Sequence, residues 1–287
     1  MVIRWVSIFL LCVLTLMFGA QAPVRKPTKL IHPEGKSVYT RFSTPAGFNR
    51  LPLDTGDFNY YLRHMIPLKK DGSPVYLYNG MEKNTQMVHE AVLDLDVGNK
   101  DLQQCADAVI RLRAEFLFKI KRFEYIHFNF TNGFCASYVK WAEGNRIKVK
   151  GNEALWCKHG LKDYSYTNFR KYLDVVFNYA GSLSLSREME KISPDHISPG
   201  DVFIQGGSPG HAVIVMDAAV NSSGKRIFIL AQSYMPAQDI HILKNTDNPN
   251  LSPWFDIEKT ETLNTPEWTF NKGDLKRFVY RKGCATP

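Results

Sequence analysis

The sequence has no metal-binding rhythm. Its five cysteines include no CxxC pair and no zinc-ribbon or zinc-finger spacing, which argues against a structural zinc. The aspartates of Leu93-Asp94-Leu95-Asp96 lack the companion oxygen ligands and the glycine of a calcium loop, so no metal and no cofactor is expected. Charge clustering is scarce too. The net charge of +8 is spread over short basic pieces at 26–29, 119–122, 146–150 and 276–282. No interleaving of aromatic and basic residues accompanies them, and this argues against nucleic acid as a partner. Disorder-type composition is also missing, and 287 residues with 13% aromatics suffice for one domain with a substantial core.

There is one long apolar run, Val6 to Phe18, with Arg4 before it and Ala20-Gln21-Ala22 after it. Residues 1–22 therefore read as a signal peptide or an uncleaved membrane anchor, and the mature chain as exported. The polar, proline-bearing stretch 23–37 reads as a linker. Residues 38–287 read as a single α+β domain, with an N-terminal elaboration over 38–100 and a core over 101–287 that ends in an irregular segment. Membrane contact is expected only through the N-terminal segment.

The clearest helix runs from Asp101 to about Lys121. Asp101 and Gln104 form a capping box, and Leu102, Cys105, Val109, Leu112 and Phe116 recur at steps of three and four. Cys105 falls on that stripe and reads as a small core residue. A second long helix is expected over Tyr166 to Ala180, with Gly181 as its C-cap. The basic, glycine-bearing stretch from Gly144 to Trp156 reads as a surface loop. Arg63 and His64, in FNYYLRHM, read as a solvated helix face.

The most informative stretch is Pro199 to Asp217, PGDVFIQGGSPGHAVIVMD. A strand from Asp201 to Gln205 meets a turn of Gly206 to Gly210, and a second strand leaves from His211. This sets the imidazole at a strand edge beside a turn, where a general base can work. The Gly-x-Ser-x-Gly pattern around Ser208 is turn composition, because a nucleophile elbow needs a helix after the serine and a strand follows here. The next strand, Arg226 to Ala231, can bring Gln232 opposite His211 with Tyr234 beside it. Asp217 lies six residues along an extended strand, roughly 20 Å away, and is too far to orient the ring.

A nucleophile candidate is Cys135, which follows Asn132-Gly133-Phe134 and is expected in the first turn of a short helix, where free backbone amides favour a thiolate. Packing beside Tyr138 and Trp141 is the alternative. A disulfide, most simply Cys135 to Cys157, would remove the nucleophile. Trp141 and Trp254 are further candidates for a binding surface.

The segments DLQQCADAVIRLRAEFLF, FRKYLDVVFNYAGSLSLSREM, GDVFIQGGSPGHAVIVMD and LAQSYMPAQDIHILKN resemble an uncharacterised family of exported bacterial proteins, the domain of unknown function numbered 4846. This implies the periplasm or outer cell envelope of a bacterium. Over about a third of the chain, Cys135, Pro199-Gly200-Asp201, the Gly210 to Val215 strand and Gln232 are similar to the motif order of CHAP and NlpC/P60 peptidases and amidases. That similarity implies a papain-like core with helices packed on an antiparallel sheet. It also implies a cysteine-dependent amidase or peptidase acting on peptidoglycan or an envelope peptide, with Cys135, His211 and Gln232 as nucleophile, base and orienter. The alternative is a non-catalytic envelope protein of the same fold that binds glycan or a protein partner.

Overall fold

The computed structural model describes residues 29–257 and 260–284. The expected signal or anchor segment and the first part of the linker lie outside the described residues. The fold is α+β. Its centre is an antiparallel nine-stranded sheet whose main path runs His89–Val92, His241–Leu243, Arg226–Gln232, His211–Asn221, Val202–Gln205, Leu275–Phe278, Met189–Lys191. Two short strands complete it: Phe48–Arg50 pairs with the far half of the His211 strand, and Trp254–Phe255 with the Arg226 strand.

The two central strands are apolar on both faces because both faces are covered. Ala212, Ile214 and Met216 point toward the face that packs the long helix, Cys105–Lys119, through Ala106, Val109 and Leu112. Val213 and Val215 join Phe203, Phe228, Phe270 and Leu275 on the other face. A bulge shifts the pairing from Ile229 opposite Asp217 to Leu230 opposite Val215. Tyr166–Tyr179 forms the second long helix and buries Phe169, Tyr172, Leu173 and Val176.

Three local expectations change. The stretch read as a loop after Gly144 is a hairpin, Asn145–Lys150 with Glu153–Lys158, turned at Gly151-Asn152. Arg63 is not solvated: it is buried and bonded to Asp217 at 2.5 Å. The long helix begins at Cys105 rather than Asp101. The Asp107 carboxylate caps the Gln104 N–H at 3.1 Å, whereas Asp101 is drawn away to accept the Ala237 N–H at 2.7 Å.

Candidate functional site

At the start of its strand, His211 is paired with Gln205 on one side. On the other side the neighbouring strand pairs Ala231 with Ile214, so Gln232 lies diagonally across from His211 on the same face. The contact forms: His211 Nε2 lies 2.8 Å from Gln232 Oε1. The Gln232 amide nitrogen donates to Glu267 Oε2 at 2.6 Å and faces His241 Nε2 at 3.5 Å. Glu267 is in turn held by Lys83 Nζ at 2.6 Å.

These bonds fix protons. A carboxylate only accepts, so the amide NH2 must face Glu267 and the amide oxygen must face His211. Nε2 of His211 therefore carries the hydrogen, and Nδ1 is left as the basic nitrogen. Among the described residues Nδ1 has no partner and is not sealed from solvent.

Aromatic rings surround the imidazole. Tyr234, Trp268 and Phe270 lie 4.9, 5.2 and 5.9 Å from it, centroid to centroid. The Trp268 indole is oriented by donating to Gln205 Oε1 at 3.0 Å. His211 is 2% exposed. Burial pushes its pKa down to about 4, partly opposed by the Gln232 bond and reinforced by Lys83.

A cleft of about 290 Å³ opens here, bordered by His211, Tyr234, Trp268, the Gly207 to Gly210 turn and the start of the long helix at Gln104 to Asp107. Gly210 is required for this wall: a Cβ there would fall 2.4 Å from Ser182 Oγ and 2.6 Å from the Gly207 carbonyl oxygen. The thiol in the cleft is Cys105. Burial raises its pKa, as does the nearby Asp107, while the N–H groups of Ala106, Ala212 and Cys105 itself favour the thiolate. The helix packs on the Ala212 face and the imidazole lies on the Val213 face, so the two groups reach the cleft around the end of the strand. No hydrogen bond joins Cys105 to His211 among the described residues.

The expected nucleophile lies elsewhere. Cys135 sits in a strand, Cys135–Ser137, ahead of the helix Tyr138–Ala142, and it is disulfide-bonded to Cys284. It is neither at a helix start nor a thiol. Cys157, its expected partner, is a free cysteine. Trp141 and Trp254 are buried structural residues, their indole N–H groups spent on Asn168 and on the Ser43 carbonyl. Tyr234 does line the cleft. Asp217, at the other end of the strand, is paired with Arg50 and Arg63 and has no part in the cleft. The Asp201 of Pro199-Gly200-Asp201 is structural too, bonded to Arg277 at 2.6 Å and capping the Ser198 N–H at 2.7 Å.

Sequence reasoning gave no role in a site to Cys105, Lys83 or Glu267. For Cys105 a signal was present, a cysteine opening the longest helix among the described residues, but its place on the apolar stripe with Val109, Leu112 and Phe116 reads as a core position. Residues 38–277 match the family described as Domain of unknown function (4846), and the chain belongs to that family. No curated protein and no solved structure matches the chain. These comparisons show no likeness to CHAP or NlpC/P60 enzymes.

Proposed function

We propose that this member of the 4846 family is a thiol-dependent amide hydrolase of papain-like arrangement, with Cys105 in the place first assigned to Cys135. The observation that carries the reading is His211. Its Nε2 is locked onto Gln232, its Nδ1 is free, and it shares a cleft with a cysteine at a helix start. Cys105 would attack the carbonyl carbon while His211 Nδ1 takes the thiol proton; the C–N bond would then break as the imidazolium gives that proton to the leaving amine. A water deprotonated by His211 Nδ1 would hydrolyse the resulting thioester, releasing the acid and restoring the thiol. Backbone N–H groups at the start of the helix are suited to the developing oxyanion. With the thiol pKa raised and the imidazole pKa lowered, the pair rests neutral, so proton transfer accompanies attack. Because the two groups are not hydrogen-bonded, transfer needs a rotamer change at Cys105 or a bridging water.

The proposed substrate class is peptidoglycan or an envelope peptide. The Cys135–Cys284 disulfide supports an oxidising compartment, hence export to the periplasm or outer envelope. A second reading, favoured by the missing thiol–imidazole contact, is a non-catalytic domain that binds envelope glycan or peptide between Tyr234 and Trp268.

The test is turnover of purified peptidoglycan and of a panel of short peptides by wild type, Cys105→Ala, His211→Ala and the double variant Cys135→Ala/Cys284→Ala. Hydrolysis should fall at least about 1,000-fold in the first two variants and persist in the double variant. Unchanged turnover in Cys105→Ala would exclude the thiol mechanism. Binding without turnover by wild type would establish the second reading.

A further inference from the structure

Four arginines are buried among the described residues: Arg41, Arg63, Arg111 and Arg113, at 2, 3, 1 and 5% exposure. Three have the partners that a buried guanidinium needs. Arg41 bonds Asp71 and two carbonyls. Arg63 bonds Asp217 and two carbonyls. Arg111 bonds Glu115, Gln103, Tyr166 and a carbonyl. Among the described residues Arg113 has no carboxylate and no carbonyl partner. Its one hydrogen bond goes to the Tyr280 hydroxyl at 3.0 Å.

The guanidinium is held in place by rings instead, 4.1 Å from Tyr280, 5.1 Å from Phe58 and 5.4 Å from Phe278. Stacking offsets part of the cost of burying the charge, but it leaves most of the five donors unused. None of the unused nitrogens is sealed from solvent. Arg113 borders a cavity of about 200 Å³ together with His127, Arg187, Glu188, Glu190 and Arg281. Arg187 has no side-chain partner among the described residues, and Arg281 reaches Glu190 only at 3.7 Å. Burial pushes Glu188 up to about 7, which reduces the acidic share of the cavity near neutral pH.

We infer that this cavity is a binding site for a small oxyanion, a carboxylate or phosphate group of a ligand, anchored by the free face of Arg113. A buried cation without an anion is costly, and a planar fork of unused donors is matched to two oxygens of such a group. The site is separate from the His211 cleft. Arg113 lies eight residues along the helix from Cys105, about 12 Å at 1.5 Å per residue. The inference is therefore independent of the proposed hydrolysis.

The test is thermal denaturation and calorimetric titration of the full chain with inorganic phosphate and, separately, with acetate, at constant ionic strength. At least one anion should give a saturable rise in melting temperature; which one does so identifies the group. Arg113→Met should weaken that binding at least about tenfold, and its melting temperature without anion should stay level or rise, because an unpaired buried charge has been removed. Arg187→Ala, at an exposed position, should weaken binding several-fold and keeps the test valid when Arg113→Met fails to fold. Absence of a saturable response to both anions, or wild-type affinity in the variants, would overturn the assignment.

Discussion

The Gln232 side-chain amide nitrogen lies 2.6 Å from a Glu267 carboxylate oxygen, and this contact decides which end of the amide faces His211. Exchanging donor and acceptor tests that role. Glu267→Gln alone lets the Gln232 amide turn over and leaves Lys83 without its charge partner. It should cost about 1–3 kcal/mol in stability and at least tenfold in any His211-dependent activity. Gln232→Glu alone sets two carboxylates against each other. The double exchange, Gln232→Glu with Glu267→Gln, restores an oxygen toward Nε2 and should recover much of the lost activity. Long-range proton–nitrogen correlation of the His211 ring reports the tautomer directly. Wild-type tautomer and activity in Glu267→Gln would remove Glu267 from this role.

Asp217 sits on the same strand as His211 and does a different job. Its two carboxylate oxygens accept from Arg63 at 2.5 Å and Arg50 at 2.6 Å, tying the N-terminal segment to the sheet. Asp217→Asn leaves buried Arg63 uncompensated, and unfolding free energy should drop by about 3–5 kcal/mol. At a temperature where the variant is folded, reactivity at Cys105 and the His211 ring resonances should match wild type. Denaturant titration beside thiol alkylation separates the two effects.

What could be read in advance depended on sequence distance. His211 and Gln232 are joined by one hairpin, and alternation along two strands was enough to bring them together. Asp217 was set aside by the rise per residue alone. The hairpin at 145–158 could have been read, since Gly151-Asn152 between two alternating runs is a turn pattern, but its basic composition suggested a loop. The start of the long helix shifts because Asp101 and Gln104 imitate a capping box, whereas tertiary contacts pull Asp101 to the Ala237 amide. Glu267 and Trp268 come from an irregular segment that folds back over the sheet, and local pattern does not encode such a return. The Cys135–Cys284 bond spans 149 residues and falls in the same class.

That bond predicts a division among the thiols. Under non-reducing conditions iodoacetamide should label Cys105 and Cys157 and spare Cys135 and Cys284. Labelling of Cys105 should be slow at neutral pH and accelerate with rising pH, because burial raises its thiol pKa. Peptide mapping by mass spectrometry reads both results. Removing the bridge with Cys135→Ala/Cys284→Ala opens a long loop and should cost about 2–5 kcal/mol. Rapid labelling of Cys135 in the folded protein would show that the bridge does not form.

Buried imidazoles should make stability depend on pH in a defined direction. Burial lowers His211 to about 4 and His241 to about 3, against about 6.5 in the unfolded chain. As pH falls below about 6.5 the unfolded chain binds these protons first, so stability declines through the window down to the folded values. For His211 the full loss is on the order of 3 kcal/mol. Above about 6.5 neither group contributes a slope. Glu188 acts in the opposite sense: burial raises it to about 7, so the folded chain holds its proton longer and stability declines as pH rises from about 4.5 to 7. The two effects oppose each other between about 4.5 and 6.5. Urea midpoints measured across this range should show a steeper acid-side decline in Glu188→Gln and a shallower one in His241→Gln. Equal slopes in wild type and both variants would mean that these groups titrate alike in the folded and unfolded chains.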